Sequence, residues 1–314
     1  MSMQWFKVPR KIFFQAGSIQ YLAKIENATR ILIVSKEENF DMIDVLIAEL
    51  KKNKNADNMH IEIFTEANAI CELDVVKRGV ALMNTFTPDT IIALGSDGTM
   101  SSAKAMWLFY EQPQISFEDV KSLYKDNNDE PIEFCNETKK SKLIAIPTTS
   151  SGFEVTPFSI IQENGNKIAI NTYQLTPDVT ILDRDFSLPT SASYVANFGL
   201  KGLENAVEAY ISELASDFTD GLAMKAIDLI FKYLPRAFKN ETDLEAIEKV
   251  HNASAIAGMA FGNTILNSEK ESDNGRVAKK YTEISKFLGL PSSNTDEGFA
   301  SLNTAIQGLI LQLQ

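Results

Sequence analysis

The chain is acidic and otherwise ordinary in size and composition. It has 314 residues, of which 44% are hydrophobic and 23% are charged, and its formal net charge is −12. This charge argues against a nucleic-acid partner, because phosphate contacts need clustered Lys and Arg. No run reaches the ~18 apolar residues of a membrane span, and the first residues lack a secretory signal pattern. We therefore expect a cytoplasmic protein without a membrane partner.

The first half of the chain alternates short apolar runs with helical patterns. Strands are predicted at 30–35, 60–64, 90–94 and 142–147, and helices at 41–50, 73–84 and 100–110. Continuous apolar strands separated by helices indicate a parallel sheet that is covered on both faces. Ligands of such sheets bind beyond the carboxyl ends of the strands, which points to the loops after Leu94 and Ile146.

The second half carries helical periodicity only. Helices are predicted at 190–212, 220–238, 244–266 and 276–288. A boundary is expected near 184–190, where Pro189 and neighbouring Ser and Thr residues favour a break followed by a helix N-cap. The sequence therefore predicts α/β plus all-α architecture, with an α/β domain over 1–185 and a helical domain over 186–314.

A glycine turn follows the third predicted strand. It contains Gly95, Ser96, Asp97, Gly98 and Thr99 and leads into a helix. Glycines let the backbone approach a pyrophosphate, and a helix N-terminus offers free N–H groups. The alternative is a tight strand–helix turn without a ligand. Asp97 counts against phosphate, because two negative charges repel each other unless a cation lies between them.

A second loop, after the fourth strand, is rich in small hydroxylated residues. Thr148 and Thr149 open it, and Ser150, Ser151 and Gly152 follow. Their hydroxyl groups can bind a ribose, a phosphate or a nicotinamide amide. They can equally well satisfy their own backbone in a turn.

Taken together, several stretches resemble the iron-containing alcohol dehydrogenase family, and within it the dehydrogenase half of the bifunctional aldehyde–alcohol dehydrogenases. They occur in order along nearly the whole chain, at 88–95, 103–111, 146–150, 154–158, 175–178, 208–210 and 250–261. The resemblance implies a Rossmann-like dinucleotide-binding domain followed by a helical metal-binding domain, as in dehydroquinate synthase-like folds. It also implies a homo-oligomer, either a dimer or a larger assembly.

The metal ligands that the resemblance implies do not carry over. The family supplies an Asp and a His four residues later on one helix, and two further His downstream. Here Lys201 and Asn205 occupy the first two positions, and the polar stretch 267–275 follows where the His-bearing segments would come. The chain has two histidines in all, and His251 matches a family position that is not a ligand, so we expect it to be a buried, hydrogen-bonded structural residue. We predict no metal site.

Of the cofactor-binding positions that the resemblance implies, some differ from the family and others are kept. Lys36 stands where family members often carry Asp, which hints at NADP over NAD, although drift on an exposed loop would also explain it. Thr148, Thr149 and Lys167 remain candidate contacts beside the glycine turn. The bulk of Phe153 argues against an open nicotinamide pocket. The sequence leaves NAD binding, NADP binding and no binding open.

Two hypotheses of function follow from the resemblance. In the first, the chain is a pseudoenzyme that keeps the fold and acts as a scaffold or regulator, alone or in a hetero-assembly with an intact relative. In the second, it is an oxidoreductase that works without metal, with Lys201 as the catalytic charge that replaces the cation, or as a buried acid or base. A longer natural chain would restore at most the two downstream histidines.

Overall fold

The computed structural model describes residues 5–126, 139–187, 191–264 and 274–313. Within these ranges no helix is long and apolar enough to cross a membrane. Two of the sequence predictions fall outside them, namely Pro189 at the expected boundary and residues 267–273 of the polar stretch.

Six parallel strands form the main sheet, in the order β1-β8-β5-β4-β2-β3. The strands are β1 Lys11–Phe14, β2 Arg30–Val34, β3 His60–Phe64, β4 Thr90–Gly95, β5 Lys142–Pro147 and β8 Val179–Leu182. A separate antiparallel hairpin is formed by β6 Phe158–Glu163 and β7 Asn166–Asn171. Four helices accompany these strands: α1 Phe40–Leu50, α2 Leu73–Phe86, α3 Asp97–Glu111 and α4 Phe117–Asp126.

The two faces of the sheet bury different side chains, as the alternation along β4 shows. Ile91 and Ala93 join the hydrophobic cluster that includes residues of α2 and α3. Ile92 and Leu94 join the opposite cluster, which includes residues of α1. Successive side chains of a strand point to opposite faces, so a strand buried on both sides has an unbroken apolar sequence. The predicted parallel sheet is confirmed.

The four predicted strands and three helices of this region are found within a few residues of their expected bounds. One difference matters for the site: α3 begins at Asp97, three residues earlier than predicted. Consequently Gly98 and Thr99 are part of the first helical turn. Strands β1 and β8 were not predicted, since runs of four residues carry little periodicity. The hairpin, with two strands of six residues, was not predicted either.

The helical region contains five helices within the described residues: α5 Ala192–Ile211, α6 Asp217–Lys239, α7 Leu244–Phe261, α8 Asn274–Phe287 and α9 Thr295–Gln312. Side-chain caps fix several starts, with Ser191, Asp243 and Asn294 each accepting a hydrogen bond from a backbone N–H of the first turn. The predicted helix 244–266 was too long, because α7 ends at Phe261 and turns follow it. Helix α9 was not predicted.

The chain divides into two compact units. The α/β unit comprises Lys7–Thr149 and Phe153–Ser187. The helical unit comprises Met1–Phe6, Ser150–Gly152 and Leu188–Gln314. The short segment Ser150–Gly152 thus belongs with the helices although it follows a strand of the sheet, which a single boundary between 185 and 186 does not describe.

Candidate functional site

The glycine turn lies at the carboxyl end of β4, where Ser96 precedes α3. The Ser96 side chain makes no capping hydrogen bond. Asp97 is the first helical residue, and its Oδ1 accepts a hydrogen bond from Thr149 Oγ1 at 3.2 Å. The Thr148 backbone N–H donates to the Gly95 carbonyl at 2.9 Å. The structure therefore brings the two predicted loops together at one edge of the sheet.

Packing alone explains both glycines of this turn. A Cβ at Gly95 would lie 2.5 Å from Thr99 Oγ1. At Gly98 a Cβ would collide with the backbone carbonyl groups of Asn68 and Ala69. Thr99 adds to the same contact by donating from Oγ1 to the Ala67 carbonyl at 3.0 Å. The glycines are thus required by close packing whether or not a phosphate binds.

Directly behind the turn lies a buried charged network that the sequence analysis did not name. Lys104 of α3 is fully buried, and Glu154 is 1% exposed. Burial lowers the pKa of Lys104 to about 7 and raises the pKa of Glu154 to about 8. The negative charge of Asp97 raises the pKa of both groups. The sequence did offer a signal for this buried lysine: Lys104 stands within an otherwise apolar helical run, residues 103–110.

The other two predicted cofactor residues lie away from this network. Lys36 Nζ pairs with Glu38 Oε2 at 2.7 Å, and its backbone forms an isolated bridge with Glu66. Lys167 is exposed on β7, opposite Gln162 of the hairpin. No contact of either lysine with the glycine turn is seen in the part of the chain that the structure describes. Both remain predictions.

In the helical unit, α5 presents the two positions expected for metal ligands. Lys201 Nζ pairs with Glu204 Oε2 at 2.7 Å, and the two side chains are 51% and 54% exposed. Asn205 is buried and donates from Nδ2 to the Ser151 carbonyl at 3.4 Å, while its Oδ1 has no hydrogen-bond partner. The hypothesis of a buried Lys201 acting as acid or base does not fit this exposure, and the ammonium pairs with the i+3 residue of its own helix.

His251 lies on α7 of the same unit and is 1% exposed. Its Nδ1 forms a hydrogen bond with Ser150 Oγ at 3.0 Å, and Nε2 has no partner. Burial lowers the pKa of His251 to about 4, so the ring is neutral at pH 7. The predicted buried, hydrogen-bonded histidine is confirmed. Gly152 packs nearby with φ of +80°, so close to the Ser254 carbonyl that a Cβ would collide with it.

These side chains do not fit a divalent metal ion. Iron or zinc needs three or four N, O or S donors in fixed geometry. Among the described residues no group of three or more His, Cys, Asp or Glu could hold one. On α5 the i and i+4 positions carry an ammonium, which has no lone pair, and a neutral amide, whose oxygen is a single weak donor. Cys71 is a buried free thiol whose pKa burial raises to about 11, so it is not a ready thiolate ligand.

Comparison with known families identifies the chain. Residues 9–184 match the family model "Iron-containing alcohol dehydrogenase". Residues 195–270 match "Fe-containing alcohol dehydrogenase family, C-terminal". The chain belongs to the iron-containing alcohol dehydrogenase family. The family is named for iron, and among the described residues no group of three or more His, Cys, Asp or Glu could hold such an ion.

The chain is similar to family members that are longer than it is. It is 37% identical to the aldehyde-alcohol dehydrogenase of Streptococcus pneumoniae, across 98% of this chain and 40% of that protein. It is 33% identical to the NADPH-dependent butanol dehydrogenase of Clostridium saccharobutylicum, across 84% of this chain and 66% of that protein. The chain thus spans about two-fifths of the first relative. That alignment runs over 353 residues, 39 more than this chain has, so internal positions of the relative have no counterpart here.

The fold agrees with the family. The iron-containing alcohol dehydrogenase of Thermococcus thioreducens superimposes with a TM-score of 0.80 at 24% identity, covering 98% of this chain and 86% of that one. The Rossmann-like sheet and the helical C-terminal part are accordingly those of the dehydroquinate synthase-like fold. At this identity the likeness supports the fold and says nothing about ligands.

Proposed function

We propose that this chain is a pseudoenzyme of its family, which has lost metal-dependent hydride transfer and keeps the fold for a scaffold or regulatory role. The observation that carries the proposal is the pair of residues on α5. Lys201 and Asn205 stand where the family resemblance places an Asp and a His, and Lys201 is already paired with Glu204.

The physical reason is that two of the four ligand positions that the resemblance implies now carry an ammonium, which cannot coordinate a cation, and an amide, which is a weak donor. A positive charge about 4 Å from a divalent ion costs several kcal/mol at the effective dielectric constant of a protein surface. Asn205 offers one neutral amide oxygen. A single weak donor beside a repelling charge does not hold a transition metal.

Dinucleotide binding is a separate part of the proposal, because the glycine turn is in the α/β unit. We propose that NAD or NADP, if it binds, lies with its phosphates near residues Gly95–Thr99 and its ribose near Thr148 and Thr149. The support is the strand–turn–helix geometry and the NADPH dependence named for the Clostridium saccharobutylicum relative. Fluorescence titration with NADH and with NADPH tests it. Lys36→Ala should remove any preference for NADPH.

The partners remain proposals as well. A family member without catalytic ligands retains a use if it assembles with itself or with an intact relative. Light scattering on the purified chain tests self-assembly. Co-elution with an intact aldehyde-alcohol dehydrogenase tests the hetero-assembly, and separate elution at micromolar concentration would count against it.

The deciding experiment measures metal and turnover together. The purified chain is incubated anaerobically with Fe²⁺ or Zn²⁺, desalted, analysed for bound metal and assayed with short aldehydes and NAD(P)H. We expect no stoichiometric metal and no metal-dependent turnover. One bound ion per chain together with turnover would overturn the proposal.

Variants sharpen this experiment. Lys201→Asp with Asn205→His restores two ligand types and should raise metal retention above that of the unmodified chain, without restoring turnover. Lys225→Asp on α6 is the matched control, since Lys225 forms a similar exposed i,i+3 pair with Asp228 at 2.9 Å. Turnover in metal-free buffer that Lys201→Met abolishes would instead support the metal-independent oxidoreductase.

A further inference from the structure

Lys104 is held by the backbone of one short segment, Phe153–Phe158, called here the 153–158 loop. Its Nζ donates to the carbonyl oxygens of Phe153 at 2.8 Å, Thr156 at 2.7 Å and Phe158 at 3.2 Å. Thr156 Oγ1 lies at 3.2 Å, and the Phe153 ring centre lies 4.7 Å from Nζ. A single side chain of α3 therefore donates to three carbonyl groups of this loop.

The charge on Lys104 decides how many of these carbonyl groups are satisfied. An ammonium has three N–H donors, enough for the three carbonyl oxygens. A neutral amine has two N–H donors and a lone pair, so at least one of the three hydrogen bonds from Lys104 to the loop is lost. The Phe153 carbonyl keeps Thr156 Oγ1 as a donor at 2.8 Å, so what is lost is the bond to α3 and not the loop's own bond. Hydrogen bonds from an ionised donor are stronger than those from a neutral one. Loss of one proton thus removes a substantial part of what holds the 153–158 loop against α3.

Glu154, within the loop itself, is the group that favours the proton on Lys104. Its carboxyl group is buried, and Oε2 has no hydrogen-bond partner. When they are ionised, Glu154 and Asp97 both raise the proton affinity of Lys104, while burial opposes them. Strand β6, which packs along α3, contributes the Phe158 carbonyl to this environment. No other ionisable side chain acting on Lys104 is identified among the described residues.

Both members of this pair change protonation close to neutral pH. Burial brings the pKa of Lys104 down to about 7 and that of Glu154 up to about 8. A buried pair with these properties responds to small changes in pH, whereas an exposed lysine stays charged throughout this range.

We propose that Lys104 and Glu154 form a proton-sensitive lock on the 153–158 loop, which is closed when Lys104 carries its proton and loosened when the proton is lost. The lock lies entirely in the α/β unit and depends on neither a metal nor a dinucleotide. It is therefore independent of the proposed function. Lys104 acts in it as a positioning residue.

The test is amide hydrogen exchange of the full chain between pH 6 and pH 9, measured by mass spectrometry and corrected for the intrinsic pH dependence of exchange. We expect exchange in 153–158 to rise about tenfold across the transition, because one unit above a pKa leaves about one-tenth of the group protonated. Lys104→Met should exchange fast at every pH. Glu154→Gln should shift the transition to lower pH by about one unit.

Lys140→Met is the matched control. Lys140 also donates to a carbonyl group, that of Tyr110 at 2.7 Å, and lies 4.9 Å from the Tyr110 ring centre, but it is exposed. It should leave the transition in 153–158 unchanged. Exchange that does not depend on pH in the unmodified chain, or an unshifted transition in Glu154→Gln, would overturn the proposal. Neither outcome requires Lys104→Met to fold.

Discussion

The two units differ in the kind of polar side chain that they bury. The α/β unit buries ionisable side chains, with Lys104 and Glu154 at its centre and Asp183 accepting a hydrogen bond from the Ile19 backbone N–H at 2.9 Å. In the described part of the helical unit, the buried polar side chains are neutral, as Asn205, His251 and Ser254 illustrate. Its lysine of interest, Lys201, stays at the surface.

This contrast bears on the proposed loss of metal-dependent chemistry. A metal centre is a place where a protein keeps charged donors out of bulk water, and it needs the ion to balance them. The described helical unit buries no charged side chain that an ion would balance. The α/β unit does bury ionisable groups: Lys104 donates to backbone carbonyl groups, and Glu154 and Asp97 act on it electrostatically.

The largest expected effect tests this contrast directly. Lys104→Ala should destabilise the chain by about 3–5 kcal/mol, because it removes a fully buried side chain and the donor of three hydrogen bonds to backbone carbonyl groups. Urea denaturation at pH 6, where Lys104 is charged, measures it. Lys140→Ala, which removes an exposed lysine of the same unit, is the control. A loss below about 1 kcal/mol, the range of a surface pair, would contradict the contrast.

The next effect concerns His251 and pH. Its folded-state pKa of about 4 lies below the ordinary 6.5, so the unfolded chain binds more protons between these values. Stability is therefore fully present above pH 6.5 and is lost as pH falls towards 4, by about 3 kcal/mol at most. Denaturation midpoints of the unmodified chain and His251→Gln, measured across this range, should differ in slope. His60→Gln, at an exposed position, is the control variant.

A third, smaller effect separates packing from ligand binding at the glycine turn. Gly98→Ala should destabilise the chain by about 1–3 kcal/mol without any ligand present, because the added Cβ meets the backbone of Asn68 and Ala69. Gly221→Ala in α6 has no neighbour within 4 Å and should stabilise by up to about 1 kcal/mol. Thermal denaturation of both variants checks this. If Gly98→Ala were neutral, the packing explanation would fail.

The smallest effect is expected at Lys201. Its ion pair with Glu204 is about half exposed, so Lys201→Ala should change stability by no more than about 0.5 kcal/mol. Denaturation in low and high salt checks it, since any contribution should fade as salt screens the pair. A loss of several kcal/mol would mean that Lys201 serves a buried role that its exposure does not show.

Much of this architecture could be predicted because local patterns in the sequence specify it. Unbroken apolar runs such as Ile31–Val34 are typical of buried strands, and helical periodicity marked four of the five helices found after Ser187. The i,i+4 spacing of Lys201 and Asn205, matched to the family resemblance, was enough to question the metal site. Strand β1, by contrast, is four residues long and is fixed by pairing with β8, more than 160 residues away in sequence. No local signal encodes that partner.

The sequence by itself determined which donors are present: two histidines, and an ammonium and an amide at the positions on α5. Side-chain chemistry is a property of residue identity, so no folding changes it. Only the tertiary structure decided which charges are buried. Lys104 and Lys201 are both helical lysines, yet one is enclosed by the 153–158 loop and the other faces solvent beside Glu204, because burial depends on packing between segments that are distant along the chain.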